Sequence, residues 1–229
     1  MPKNINVHQA YKDAYGHIDT DASLTFGPFF TYAFLDDPFH LTFQLARHRF
    51  VSRILDGKSN VLEIGCQEGF TSLLFKNQFE SLVSIDNNEH HISDAKKYAL
   101  HHSSNLEFRL HDVITDELPE NKFFDGAFTV DVLEHIDPSD QHIFISNIIK
   151  SLADSATLVI GIPSLEHQQF TSERNKIGHI NCKTAEDLKL FCKSYFKEVL
   201  IFTMNDELVH MGFPRTANYL FAVCIHPLR

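Results

Sequence analysis

The chain has 229 residues, of which 43% are hydrophobic and 22% charged; this balance excludes an intrinsically disordered polymer and allows one substantial core. Twenty Lys and Arg stand against 30 Asp and Glu, for a net charge of −10 with no basic run, which disfavours a nucleic-acid partner because phosphate backbones demand clustered cations. Four scattered cysteines (Cys66, Cys182, Cys192, Cys224) form no Cys-x-x-Cys pair; no disulfide framework is expected in so large and cysteine-poor a chain, and reduced thiols in a cytoplasmic location are expected.

The first residues are polar and lack the apolar core of a signal peptide. No apolar run approaches the roughly 18 residues of a membrane span. The Phe-rich stretch from Phe26 to Phe50 is broken by Gly27, Pro28, Asp36, Asp37 and Pro38 and reads as a folded segment. Within it, Asp37 and Pro38 open a helix with apolar residues at Leu41, Leu45, Phe50 and Ile54, and Gly57 is a plausible stop. Residues 1–57 are thus expected to form a helical cap or lid, and 58–229 the core of the same single domain.

From there, short apolar runs alternate with helical stretches. Strands are predicted at 60–64, 81–86, 105–110, 123–130 and 156–163, and helices at 69–77, 88–102, 139–152 and 184–196, the last capped by Thr184. Two final strands, 197–204 and 218–225, are joined by the loop 205–217 as an antiparallel hairpin. The alternation predicts an α/β fold: a Rossmann-like, doubly wound, mostly parallel seven-stranded sheet with an antiparallel last strand and an N-terminal helical cap.

The sharpest local signal is Glu63-Ile64-Gly65-Cys66-Gln67-Glu68-Gly69, directly after the first strand of that sheet. In a doubly wound sheet this turn lies where ligands bind, outside the carboxyl ends of the strands. Asp86 ends the next strand, where a carboxylate can accept from both ribose hydroxyls of an adenosine. Asp112 follows the third strand and Asp131 the fourth. Each has a structural alternative: Asp86 and Asp131 as helix caps, Asp112 as a turn residue. The loop lacks the dinucleotide pattern Gly-x-Gly-x-x-Gly, so hydride transfer fits poorly.

With VLEIGCQEGF, VSIDNN, LHDV and FDGAFTVDVLEHI in this order, the chain resembles the class I S-adenosylmethionine-dependent methyltransferases over about residues 58–203. The resemblance implies S-adenosylmethionine as cofactor. It implies that Glu63, Gly65, Cys66 and Gly69 hold the turn around the methionyl part. Asp86 and Asn87 would take the ribose, Asp112 and Val113 would flank the adenine, and Asp131 would line the methyl-transfer centre. Gln67 stands where the family often has a further glycine, which puts the geometry of the methionyl pocket in question. The segments DPFHLTFQLARHRF, NDELVHMGF and ANYLFAVC are similar, more faintly, to methyltransferases of bacterial surface-polysaccharide and natural-product gene clusters.

His135, His167 and His179 are the candidate general bases, since imidazole titrates near neutrality. His135 falls one helical turn after Asp131, while the other two lie on the connection after the fifth strand. No zinc-like spacing and no carboxylate pair for magnesium occurs, so no metal is expected. The aromatic segment from Tyr11 to Phe50 reads either as core packing or as a lid, with Tyr15, His17 and Arg47 able to reach inwards. The expected activity is O-methylation of a sugar or other small polar metabolite. Nitrogen or carbon methylation, or a non-catalytic scaffold that kept the fold, are the alternatives.

Overall fold

The computed structural model describes residues 7–18, 23–75, 77–99 and 104–229. Three helices come first: α1 (Val7–Tyr15), α2 (Pro28–Asp36) and α3 (His40–Ile54). Strands and helices then alternate: β1 (Asn60–Ile64), β2 (Ser81–Asp86), α4 (Glu89–Tyr98), β3 (Leu106–Leu110), β4 (Phe124–Val130), α5 (Gln141–Ser151) and β5 (Leu152–Pro163). The chain closes with α6 (Glu173–Gly178), α7 (Ala185–Lys193), β6 (Phe196–Asn205), β7 (Leu208–His210) and β8 (Tyr219–Pro227).

The sheet order is β3-β2-β1-β4-β5-β8-β6-β7. β1 to β5 pair in parallel, and β8 inserts between β5 and β6, antiparallel to both. The sheet therefore has eight strands where seven are predicted. The extra one, β7, arises inside the expected loop and pairs antiparallel with β6 through Met204–Val209. The direction of chain progression reverses between β1 and β4, which puts a crevice beyond their carboxyl ends.

Strand side chains alternate between two cores, as a period of two requires. Leu62, Ile64, Val83 and Ile85 pack under α5 and α7 with Phe144, Ile148 and Leu188. Val61, Leu82 and Phe128 face α3 and α4 with Val51, Leu55, Ile92 and Ala95. Burial of both faces accounts for the nearly continuous apolar runs of these strands.

Several boundaries differ from the sequence reading, and α6 is not among the predicted elements. The segment predicted as a helix at 69–77 forms only a 3₁₀ stretch, Thr71–Phe75. Its Ser72 is drawn inward to a buried carboxylate, described below. α5 ends at Ser151, whose hydroxyl donates to the Ile148 carbonyl, and β5 begins at once with Leu152 opposite Phe124. α4 stops at Tyr98, and residues 100–102 of that predicted helix lie outside the described ones. The predicted Thr184 cap forms, with its hydroxyl accepting from Asp187 N at 3.1 Å. All four cysteines are free, and no described helix is long and apolar enough to cross a membrane.

Candidate active site

The loop after β1 is pinned to the end of β2. Gly65 N and Cys66 N donate to the Ile85 carbonyl at 2.8 and 3.1 Å, and Gln67 N donates to Asp86 Oδ2 at 2.9 Å. Gly65 has φ +83°, and a Cβ there would lie 2.2 Å from Val132 Cγ2, so both the turn and the approach of the next loop require glycine. Gln67 occupies the left-handed region at φ +48°. The turn accommodates its side chain, at the backbone cost any non-glycine residue bears there.

Glu63 and Gly69 face away from the cleft, beneath the loop. Glu63 lies beneath the loop: its Oε2 accepts from Ser72 Oγ and Ser84 Oγ, both at 2.6 Å, and it is closed off from the cleft. Burial raises its carboxyl to about 7, against the pull of those two hydroxyls. Gly69 points inward as well, where a Cβ would meet the Phe108 ring at 2.7 Å. It opens a close-packed turn.

Gly65, Cys66, Asp86, Asn87, Asp112, Val113 and Asp131 all line a cleft of about 340 Å³. Asp86 is buried, and its Oδ1 accepts from Asn88 N at 2.9 Å and faces His91 Nδ1 at 3.3 Å. Asp112 Oδ1 accepts from Ile114 N at 2.9 Å, which fixes the turn that carries Val113 along the wall. Burial pushes the Cys66 thiol well above its usual range, so it stays protonated.

α2 closes over this cleft. Glu68, from the β1 loop, accepts from Phe29 N and Phe30 N at 2.8 and 2.9 Å and so caps a helix 38 residues away in the chain. The Phe30 ring rests 4.1 Å from that of Phe70. From α2, Phe30 lines this cleft, and Phe29 lines a neighbouring cavity described below. Tyr15 and His17 do not reach inwards; both are exposed, Tyr15 at 51%.

A second cavity of about 690 Å³ shares Phe30, Gln44, Gln67, Asp131 and His135 with the first. His135, His167 and His179 all line it. The His135 and His179 rings are 5.1 Å apart, whereas His167 lies by Phe170. Arg47 reaches in from α3, donating to Asp131 Oδ2 at 2.7 Å with its guanidinium 4.1 Å above the buried Tyr219 ring. Asp131 itself has φ +59°, a strained backbone of the kind that accumulates at functional sites. Beside it Glu134 is fully buried, and burial, reinforced by Asp131, pushes its carboxyl well above the ordinary range.

Sequence reasoning missed Glu68, Glu134 and Tyr219. Arg47 belongs to a polar face, Gln44, Arg47 and His48, turned toward the cavities where a core helix should be apolar. That face was the available signal.

Comparisons with known proteins bear on the same elements. Residues 40–195 match the family model described as a methyltransferase domain. A carboxy-S-adenosyl-L-methionine synthase of Campylobacter hominis is 27% identical over 112 residues, 48% of this chain and 47% of that protein. The match thus spans about half the length of that curated relative. Among solved structures, the N-methyltransferase NodS of Bradyrhizobium japonicum, in complex with S-adenosyl-L-homocysteine, superposes with a TM-score of 0.63 at 22% identity, over 86% of this chain and 92% of that one. A possible histamine N-methyltransferase of Thermotoga maritima gives 0.64 at 17% identity, over 86% and 93%.

Proposed function

The chain belongs to the methyltransferase domain family, and from that premise we propose that it transfers a methyl group from S-adenosylmethionine to a small polar molecule seated in the second cavity, on a hydroxyl oxygen such as that of a sugar. The observation that carries this reading is the junction of the two cavities at Asp131 and His135, with His167 and His179 further along the second one.

The residues of the first cleft fit the cofactor. A volume of about 340 Å³ suits a small ligand. Ile64, Val113, Ile114 and Ile136 give it apolar walls, with carboxylates at Asp86 and Asp131. Asp86 would hold the ribose, Asp112 and Val113 the adenine edge, and Gly65, Cys66 and Asn87 the adjoining backbone. Glu63 and Gly69 support the loop from below. When bound, S-adenosylmethionine supplies a methyl group on a sulfonium, an excellent leaving group.

The protein then mainly contributes proximity and orientation, worth several kcal/mol of the barrier. Arg47 holds Asp131 at the junction, and Phe30 of α2 adds an apolar wall shared by both cavities. A hydroxyl acceptor must lose its proton as its oxygen attacks, and His135, His167 and His179 are the bases within the cavity. An amine acceptor is the second reading, favoured by the N-methyltransferases among the structural relatives; it needs no strong base.

The test is methyl transfer from labelled S-adenosylmethionine to a panel of sugars, other hydroxylated metabolites and amines, with the product bond identified by mass spectrometry and NMR. An O-methyl product supports the proposal. Turnover restricted to amines replaces it with the second reading.

A further inference from the structure

Among the described residues, Glu134, His135 and His179 bring a carboxylate oxygen and two imidazole nitrogens within 4.8 Å of one another. We propose that these three side chains form a divalent transition-metal site of the zinc type, opening into the second cavity. The inference deepens the reading of that cavity as the acceptor site and rests on it.

Three observations carry it. First, Glu134 is fully buried, and neither carboxylate oxygen meets a donor from any other described residue. A buried carboxylate left this way is costly unless a cation or donor completes it. Arg47 gives its Nη1 hydrogen to Asp131, and although Glu134 feels its charge, no Arg47 N–H bonds either Glu134 oxygen.

Second, the histidines are set in the way metal ligands are. His135 Nδ1 lies 2.8 Å from the Gly178 carbonyl, which can only accept, so Nδ1 carries the proton and Nε2 keeps its lone pair. His179 Nδ1 faces Gln168 Oε1 at 3.1 Å and is fixed in the same sense. Donation of the far ring N–H to an oxygen is the usual outer support of a metal-bound imidazole.

Third, the two contributing segments are strapped together. Asn181 N donates to the Glu134 carbonyl at 3.0 Å, while His135 donates to Gly178. A Cβ at Gly178 would lie 3.3 Å from the His135 ring nitrogen. The ligand set is thus assembled by backbone contacts that hold whether or not an ion is bound. Ligands of a tetrahedral ion stand about 3.4 Å apart at bond lengths near 2.1 Å, so closure requires a contraction of at most about 1.4 Å.

The donor set selects the metal. Two imidazoles and one carboxylate suit zinc, cobalt, manganese or iron in the divalent state and disfavour magnesium and calcium, which prefer oxygen. Three protein ligands leave a position open toward the cavity, where an acceptor oxygen or nitrogen can bind; with His135 and His179 engaged as ligands, His167 is the candidate base left free in that cavity. The short-range spacing from which no metal is expected does not register this group, because His179 comes from a distant segment.

The test uses the full chain, tag-free and stripped with a chelator, titrated with Co²⁺ and followed by visible absorption, with Zn²⁺ as competitor. Expected is one equivalent of Co²⁺ with a ligand-field band, displaced by one equivalent of Zn²⁺. Loss of outer-shell partners costs about 10–100-fold in affinity, so Glu134→Gln and His179→Ala should each weaken binding by at least about 100-fold. Imidazole NMR of the unmodified chain gives a readout independent of variant folding: Zn²⁺ should move the His135 and His179 ring signals and leave His167 in place. Absence of stoichiometric binding overturns the proposal, as does binding that both variants leave unchanged or Zn²⁺ shifts elsewhere. Metal binding without methyl transfer would instead contradict the acceptor reading, and the two failures are therefore distinguishable.

Discussion

Glu63 makes a sharp prediction because its burial has a calculable consequence. Its carboxyl lies at about 7 in the folded protein against an ordinary 4.5. Between those values the folded state holds a proton that the unfolded chain has released. Its contribution therefore favours folding most at pH 4.5 and below, and is lost as pH rises toward and through 7. A rise from 4.5 to about 7, at about 1.4 kcal/mol per pH unit, is worth roughly 3–4 kcal/mol in full. Glu63→Gln removes the titration and keeps an oxygen for Ser72 and Ser84. Urea unfolding of the ligand-free protein should give similar midpoints for the two proteins near pH 5. By pH 8 the variant should lead by about 3 kcal/mol, or roughly 1 M urea for a slope of about 2–3 kcal/mol/M. Midpoints that stay parallel across this range would refute the assignment of a buried, protonated Glu63.

Gly65→Ala combines a φ of +83° with a Cβ 2.2 Å from Val132. It should lower stability by about 2–3 kcal/mol in thermal or urea unfolding and abolish cofactor binding by calorimetry. Glu68→Ala removes the carboxylate that accepts from Phe29 N and Phe30 N. About 1–2 kcal/mol of capping should be lost, read as faster amide exchange within Pro28–Asp36 and weaker cofactor binding, with β1 to β5 unchanged.

Sequence legibility divides along physical lines. β1, β2 and β4 are legible because both faces are buried and their runs are apolar and bounded by turn residues. β7 is not, since Leu208–His210 is too short to show an alternation and forms by pairing with β6. The 3₁₀ stretch Thr71–Phe75 has the pattern of a helix, but Ser72 is held by Glu63 from below. The cleft residues Asp86, Asp112 and Asp131 are legible because each ends or closely follows a strand at the carboxyl end of the sheet. Glu68, Tyr219 and the Glu134–His179 grouping are not, because their partners come from distant segments. Tyr219 in particular reads as one more apolar strand residue until Arg47 is found above its ring.

The central claim is that the cleft at the switch point between β1 and β4 holds S-adenosylmethionine through Asp86. Calorimetric titration of the purified chain with S-adenosylmethionine and S-adenosylhomocysteine, repeated on Asp86→Ala with its fold checked by circular dichroism, tests it most directly. The account predicts micromolar binding of one equivalent, weakened about 100-fold in the variant, equivalent to about 3 kcal/mol. Absence of binding by either ligand, or equal affinity in the folded variant, would contradict it.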